Sequence, residues 1–342
     1  MSQTIRKRLL SALDGEPVIQ PVYAVYDWFV QNRRIDWTRL FDRGLGQINH
    51  VVMADVKRPN VEIHESSSRV GDAIRKDVRW VTDVGELHEW YLGEWRQEHL
   101  VKTPDDYRIL QHALEGSNFT LNTQAFAASE AALGDAGMTL GHLWRTPLQE
   151  IQIDYVGLEE FSFHLADEEP ELLELLEYMT FLKCEEARVA ASHPAKFIKL
   201  WENLSIQTMG PANYRKFILP VYDALLAIFQ PLGKRIMVHY DGSLKEIASD
   251  FARYPIDIDS VTPPPEGNMT IPECRAAWPD KFFWLHPSLS CFQMPEQQML
   301  NYIAEMIRDA GPQRYCLMIS EDVPPEWEWR VPKILEMLEQ QR

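Results

Sequence analysis

The sequence predicts a single (β/α)8 TIM barrel, and three observations carry that expectation. In the second half, a short apolar run followed by an amphipathic stretch recurs five times in succession. The runs are separated by helical spacers, so they cannot pair as hairpins and must lie parallel with helical crossovers. No G-x-G-x-x-G turn opens the pattern, which sets a barrel ahead of an open doubly wound sheet. The 342 residues are read as one barrel domain, because α/β barrels of this length fold as one unit.

The units follow in order. Residues 196–201 (KFIKLW) lead into a helical stretch at 212–229, 234–239 (KRIMVH) into 243–253, and 256–261 (IDIDSV) into 271–278. Residues 281–286 (KFFWLH) lead into 295–310, and 314–320 (RYCLMIS) into 327–340. The first half is less regular. Residues 5–13 read as an N-terminal helix, 21–26 (PVYAVY) as a buried first strand, and 36–45 as a helix. Apolar and polar residues alternate over 61–82, which suits a β-hairpin inserted after an early strand. Residues 103–115 open with TPDD, an N-cap followed by acidic residues in the first turn. A further strand at 138–142 and a long amphipathic helix at 170–191 complete the count.

Composition narrows the function. A net charge of −17 leaves no broad basic face for a phosphate backbone, so nucleic acid is not an expected partner. Four scattered cysteines without C-x-x-C spacing read as a reduced, cytoplasmic chain. The opening MSQTIRKRLLSALDGEP has too short an apolar run for a signal peptide, and no stretch approaches membrane-span length.

Barrel chemistry gathers at the C-terminal ends of strands. Those ends carry Asp27 and Trp28, Glu202 and Asn203, His239 and Asp241, Asp259 and Thr262, His286 and Ser288, and Glu321 and Asp322. At any one end, helix capping explains a carboxylate equally well. His239 and Asp241 are two apart on an extended chain and therefore point to one side. They can share a metal ion, or His239 can bond a carbonyl while Asp241 caps the next helix. Glu321, leaving the last strand, is the natural third ligand for zinc or another divalent ion. Asp27 and Glu202 are candidate catalytic residues that supply a proton or orient substrate. Trp28, Tyr240, His286 and Trp327 are read as substrate-binding. Eleven tryptophans offer a wall for a flat apolar ligand, although packing between barrel and helices accounts for most of them.

The segment GPANYRKFILPVYDALLAIFQPLGKRIMVHYDG, at 210–242, resembles the uroporphyrinogen decarboxylase superfamily, together with 201–204 before it. The resemblance continues through IDSVTPPPEGNMTIPECRAAWPDKFFWLH at 258–286 and ISEDVPP at 319–325. Weaker similarity lies in PVYAVYDWF near the start and EHLVKTPDDYRIL in the middle. That superfamily contains the decarboxylase of haem synthesis and the zinc methyltransferases that serve corrinoid proteins. Its fold is a (β/α)8 barrel. The decarboxylases grip substrate carboxylates with an arginine-rich segment on strand one, where this chain has Tyr26, Asp27, Trp28 and Phe29. The methyltransferases carry H-x-C and a distant cysteine; here His239, Tyr240 and Asp241 stand at the first, and Glu321 near the second.

The resemblance therefore implies a metal-dependent methyltransferase or demethylase that moves a methyl group from a small substrate to a corrinoid protein. The alternatives are a decarboxylase acting on a porphyrinogen-like or smaller carboxylate, and an inactive barrel with a binding role. Expected partners are the methyl donor, the corrinoid protein and, as a further candidate, a second copy of the chain.

Overall fold

The structure, a computed structural model, describes residues 3–17, 21–319 and 323–340. Eight parallel strands close into a barrel: β1 (Tyr23–Tyr26), β2 (Gly46–Val52), β3 (Gly137–Leu143), β4 (Phe197–Leu200), β5 (Arg235–His239), β6 (Asp257–Val261), β7 (Phe283–Leu285) and β8 (Tyr315–Met318). Each pairs with the next, and β8 returns to β1 through Tyr23 opposite Leu317. The (β/α)8 barrel expected from the sequence is the one found. Among the described residues no helix is long and apolar enough to cross a membrane.

Alternation along the strands separates two cores. Inward positions such as Ala24, Ile48, Leu140, Met237, Trp284 and Met318 fill the barrel. Outward neighbours such as Val25, Ile198, Val238, Ile258 and Leu317 pack against the surrounding helices. The helix Ile5–Leu13 closes the N-terminal mouth. Its Leu9 and Leu13 join the inner core, Arg6 donates to the Gly137 carbonyl at the start of β3, and Arg235 at the start of β5 donates to the Leu13 carbonyl. The polar residues of the barrel gather at the opposite, C-terminal end.

Between β2 and β3 the chain leaves the barrel. Ala54–Lys57 pairs with Asn118–Leu121, and the hairpin expected at 61–82 forms as Glu62–Val70 against Ala73–Val81. It continues beyond the expected range into Glu86–Leu92 and Trp95–Glu98, making a four-stranded antiparallel sheet. The Thr103 N-cap is a full capping box with Asp106, opening Pro104–Leu114.

β2 had no counterpart in the sequence reading, for a physical reason. Outward positions of a barrel strand are normally apolar, but here they include Gln47 and Asn49. Gln47 donates to Asn49 at 2.8 Å, and Asn49 to Ser129 at 2.9 Å on the helix Gln124–Leu133. A polar ladder thus replaces the apolar face that marks the other strands.

β2 and β3 meet most closely at Gly137, where a Cβ would overlap the backbone carbonyl of Gln47. We expect Gly137→Ala to destabilise the fold by about 2–4 kcal/mol, because backbone rather than a flexible side chain must give way. Urea unfolding tests this; a loss below about 0.5 kcal/mol would contradict the strand packing described.

Candidate active site

Going up the barrel, the inward side chains turn from apolar to polar. Above Ile48 comes His50, above Leu140 comes His142, above Phe197 come Lys199 and Trp201, above Met237 comes His239, and above Trp284 comes His286. The same two-residue period that fills the core with hydrocarbon therefore delivers imidazole, ammonium and indole to the open end.

The centre of this layer is a buried ion pair. Lys199 and Asp259 are both 0% exposed, with Lys199 Nζ 2.5 Å from Asp259 Oδ2. The same Oδ2 takes His239 Nδ1 at 2.9 Å, and Oδ1 accepts the Tyr26 hydroxyl. Tyr26 gives its only proton to Asp259, so its oxygen accepts from His286 Nε2 at 3.2 Å. Burial alone would raise the Asp259 carboxyl, but the Lys199 ammonium and the His239 hydrogen bond hold it well below the usual range. Because Asp259 is an acceptor only, His239 Nδ1 donates. Nε2 is left toward Asp241 Oδ2 at 3.6 Å.

Around this centre the imidazoles are kept neutral. Burial pushes His286 down to about 3, against the pull of Asp259. Burial, reinforced by the Lys199 ammonium, holds His142 at about 3. Burial and Lys199 bring His50 to about 4, although Asp27 accepts its Nδ1 at 3.2 Å. The Asp27 carboxyl is raised by burial but lowered more by that hydrogen bond and by the His50 backbone, and falls below its ordinary value.

Above the polar layer lies a cavity of about 460 Å³. It is lined by Trp28, Trp144 and Trp201 together with His239, Asp241, His286 and Glu266. Trp28 and Trp201 have ring centroids 5.3 Å apart, and Trp144 lies 6.5 Å from Trp201. Cations lie against two of these rings, with Lys199 Nζ 3.6 Å from the Trp201 centroid and Arg145 Cζ 4.4 Å from Trp144. Asn203 (φ +47°) and Ser260 (φ +62°) also line the cavity. Left-handed backbone at non-glycine residues costs stability and gathers at functional sites.

Of the residues singled out from the sequence, Trp28, Asn203, His239, Asp241, Thr262 and His286 meet at this cavity. Asp27 is bonded to His50 beside it rather than lining it. Glu202 and Tyr240 face the other way, because each directly follows an inward residue and alternation turns it toward the helices. Glu202 accepts from the Thr146 hydroxyl at 2.9 Å and the Tyr222 hydroxyl at 3.3 Å, and Tyr222 meets Tyr240 at 2.6 Å. Burial raises the Glu202 carboxyl to about 7 despite these bonds. Trp327 packs half-buried on the outer core, away from the cavity walls. Glu321 lies outside the described residues. Among the described residues, no three His, Cys, Asp or Glu side chains come together as a metal-binding group.

Lys199, Trp201, Asp259 and Tyr26 form the site alongside these, and sequence reading had not assigned them roles. The signal was present for the first two. KFIKLW places Lys199 and Trp201 on the face of Phe197, so a lysine had to enter the core.

No family model matches the chain, and no curated protein matches its sequence. Solved structures do resemble it. A methyltransferase from Methanosarcina mazei superposes with a TM-score of 0.57 at 13% identity, over 99% of this chain and 99% of that one. A B12-independent methionine synthase from Shewanella gives 0.43 at 8% identity, over 91% of this chain and 85% of that one. At 13% identity, the likeness to the Methanosarcina mazei protein is one of fold alone.

The Glu202 carboxyl gives a pH test. Its folded pKa lies above its unfolded value, so its contribution is fully present below about pH 4 and is lost as pH rises to about 7. The expected loss is on the order of 3 kcal/mol. In Glu202→Gln that loss should disappear, making the variant relatively more stable at pH 8 than at pH 4. Unfolding free energies that fall equally with pH in both proteins would contradict the assignment.

Proposed function

We propose that this chain is a methyltransferase that takes a methyl group from a small molecule bound in the tryptophan-lined cavity and passes it to a corrinoid carried by a partner protein. The observation that carries the reading is the cavity itself. It is open at one end, walled by indoles, and edged by the imidazole–carboxylate pair His239 and Asp241. An open aromatic slot holds a small donor while its methyl group remains reachable in line by an acceptor. The barrel shared with the Methanosarcina mazei methyltransferase supports the reading at the level of architecture.

In this reading the tryptophans position the donor and keep water from it, while Asp259 fixes the imidazole plane of His239. Asp259 orients His239 as the second partner of a metal ligand does, and His239 Nε2 and Asp241 Oδ2 already face each other. Those two residues fit a divalent ion, zinc first, and Glu321 is the third ligand the sequence suggests. Such an ion would supply Lewis acidity toward the atom that bears the methyl group. With carboxylates in place of thiolates, it would be held less tightly than in a cysteine site.

Two measurements test this. Elemental analysis should find about one divalent ion per chain, removable by chelators and absent from His239→Ala. With cob(I)alamin as acceptor and a panel of methylated amines and ethers as donors, loss of the cob(I)alamin absorbance should follow at rates on the order of 1 per second. A donor panel that yields no methylcobalamin would overturn the methyltransferase reading. A protein that binds no divalent ion would overturn the metal assignment.

A further inference from the structure

The antiparallel sheet inserted between β2 and β3 ends in a strand with one side unpaired. Glu62–Val70 pairs with Ala73–Val81 along its inner side and stands at the edge of the sheet order. All nine of its residues are exposed. The turn decides which backbone groups point outward. Val70 and Ala73 close a two-residue turn with Gly71 in left-handed backbone (φ +61°), so these two exchange both amide–carbonyl bonds. Alternation then turns Glu62, His64, Ser66 and Ser68 inward as well, and leaves the amides and carbonyls of Ile63, Glu65, Ser67 and Arg69 facing out. The other side of Ala73–Val81 agrees: the Gly93 amide donates to the Ile74 carbonyl, so its neighbour Ala73 faces Glu62–Val70.

Natural sheet edges are guarded by proline, lysine or a bulge. This strand has neither proline nor lysine, and its register with Ala73–Val81 runs without a break. Its outward residues are instead symmetric about Ser66. An antiparallel copy centred there sets Ile63 against Arg69 and Glu65 against Ser67, with two hydrogen bonds to each pair. The charges suit that register. Glu65 lies diagonally across from Arg69 of the second copy, within reach of a long side chain. Lys76 on the adjacent strand already holds Glu65 on this face, at 2.9 Å. Arg69 donates to the Gly71 carbonyl at 3.2 Å and has no carboxylate partner among the described residues. Its hydrocarbon stem would cover Ile63, which is 47% exposed in a single copy. The serines at 66–68 keep the crossing free of bulk.

We propose that this edge is the contact between two copies of the chain, joined about a twofold axis at Ser66 into one continuous sheet with four strands from each copy. A contact of this kind uses the same patch on both copies and closes on itself, so association stops at the dimer. The cavity at the barrel mouth takes no part in it, and the inference does not rest on the methyl-transfer reading.

A strand edge buries less than a standard interface, so the dimer should dissociate in the micromolar range. Sedimentation of the full-length protein should show the mass rising toward two chains between about 1 and 100 µM. Ser67→Pro removes an outward amide that the ladder to Ala73–Val81 does not use. It should weaken association by about tenfold or more while the circular dichroism stays unchanged. Across the axis Ser66 meets its own copy as a non-hydrogen-bonded pair, with Cα atoms about 4.5 Å apart and within disulfide reach. Ser66→Cys should therefore form an intermolecular disulfide under mild oxidation. Ser68→Cys should not, because its two copies lie about 13 Å apart along the strands. The disulfide comparison stands even if Ser67→Pro fails to fold. A monomer at about 100 µM would overturn the proposal. So would association that a folded Ser67→Pro leaves unchanged, or disulfides that form equally well from Ser66→Cys and Ser68→Cys.

Discussion

A lysine and an aspartate in contact inside a hydrocarbon barrel set the terms for everything above them. Taking both charges out of water costs several kcal/mol each, and only close contact with further hydrogen bonds offsets it. Asp259 meets that condition with three partners, Lys199, His239 and Tyr26. The consequences propagate outward. A fixed anion determines which nitrogen of His239 donates, and thereby what faces Asp241. It also orders the Tyr26 hydroxyl, which in turn receives His286. The Lys199 ammonium helps to keep His50 and His142 unprotonated. The upper layer of the barrel is thus one connected polar unit with its charge cancelled at the centre.

That arrangement separates two tasks. The floor is tied together by contacts among side chains of β1, β4, β5 and β6 and by His286 just past β7. The cavity above it is lined by side chains on the loops and strand ends, with the indoles of Trp28, Trp144 and Trp201 supplying shape and the carboxylates supplying charge. The strained backbone at Asn203 and Ser260 falls at the boundary between the two. The helix Ile5–Leu13 packs on the far end of the inner core.

Much of the barrel was legible because parallel, fully buried strands announce themselves as apolar runs with helical spacers. β2 escaped because its outward face is a polar ladder to Ser129 rather than hydrocarbon. The site was legible in half. Residues chosen for sitting at strand ends included the right strands, but neighbours such as Glu202 and Tyr240 were taken together with inward residues that alternation opposes. Lys199 was passed over because a lysine within an apolar run reads as a surface residue unless its parity with Phe197 and Trp201 is followed. Its partner lies sixty residues further on, at Asp259, and no local pattern links the two.

The central claim is that Lys199 and Asp259 act as a unit, and a double-mutant cycle measures that directly. Lys199→Met, Asp259→Asn and the combined variant are compared with the wild type by chemical denaturation. Either single change strands the other group in the core and should cost about 3–5 kcal/mol. The double variant should recover much of the loss, giving a coupling energy on the order of 3 kcal/mol. Single effects that add to within about 0.5 kcal/mol would mean the two charges are independent, and the account of the site given above would fail.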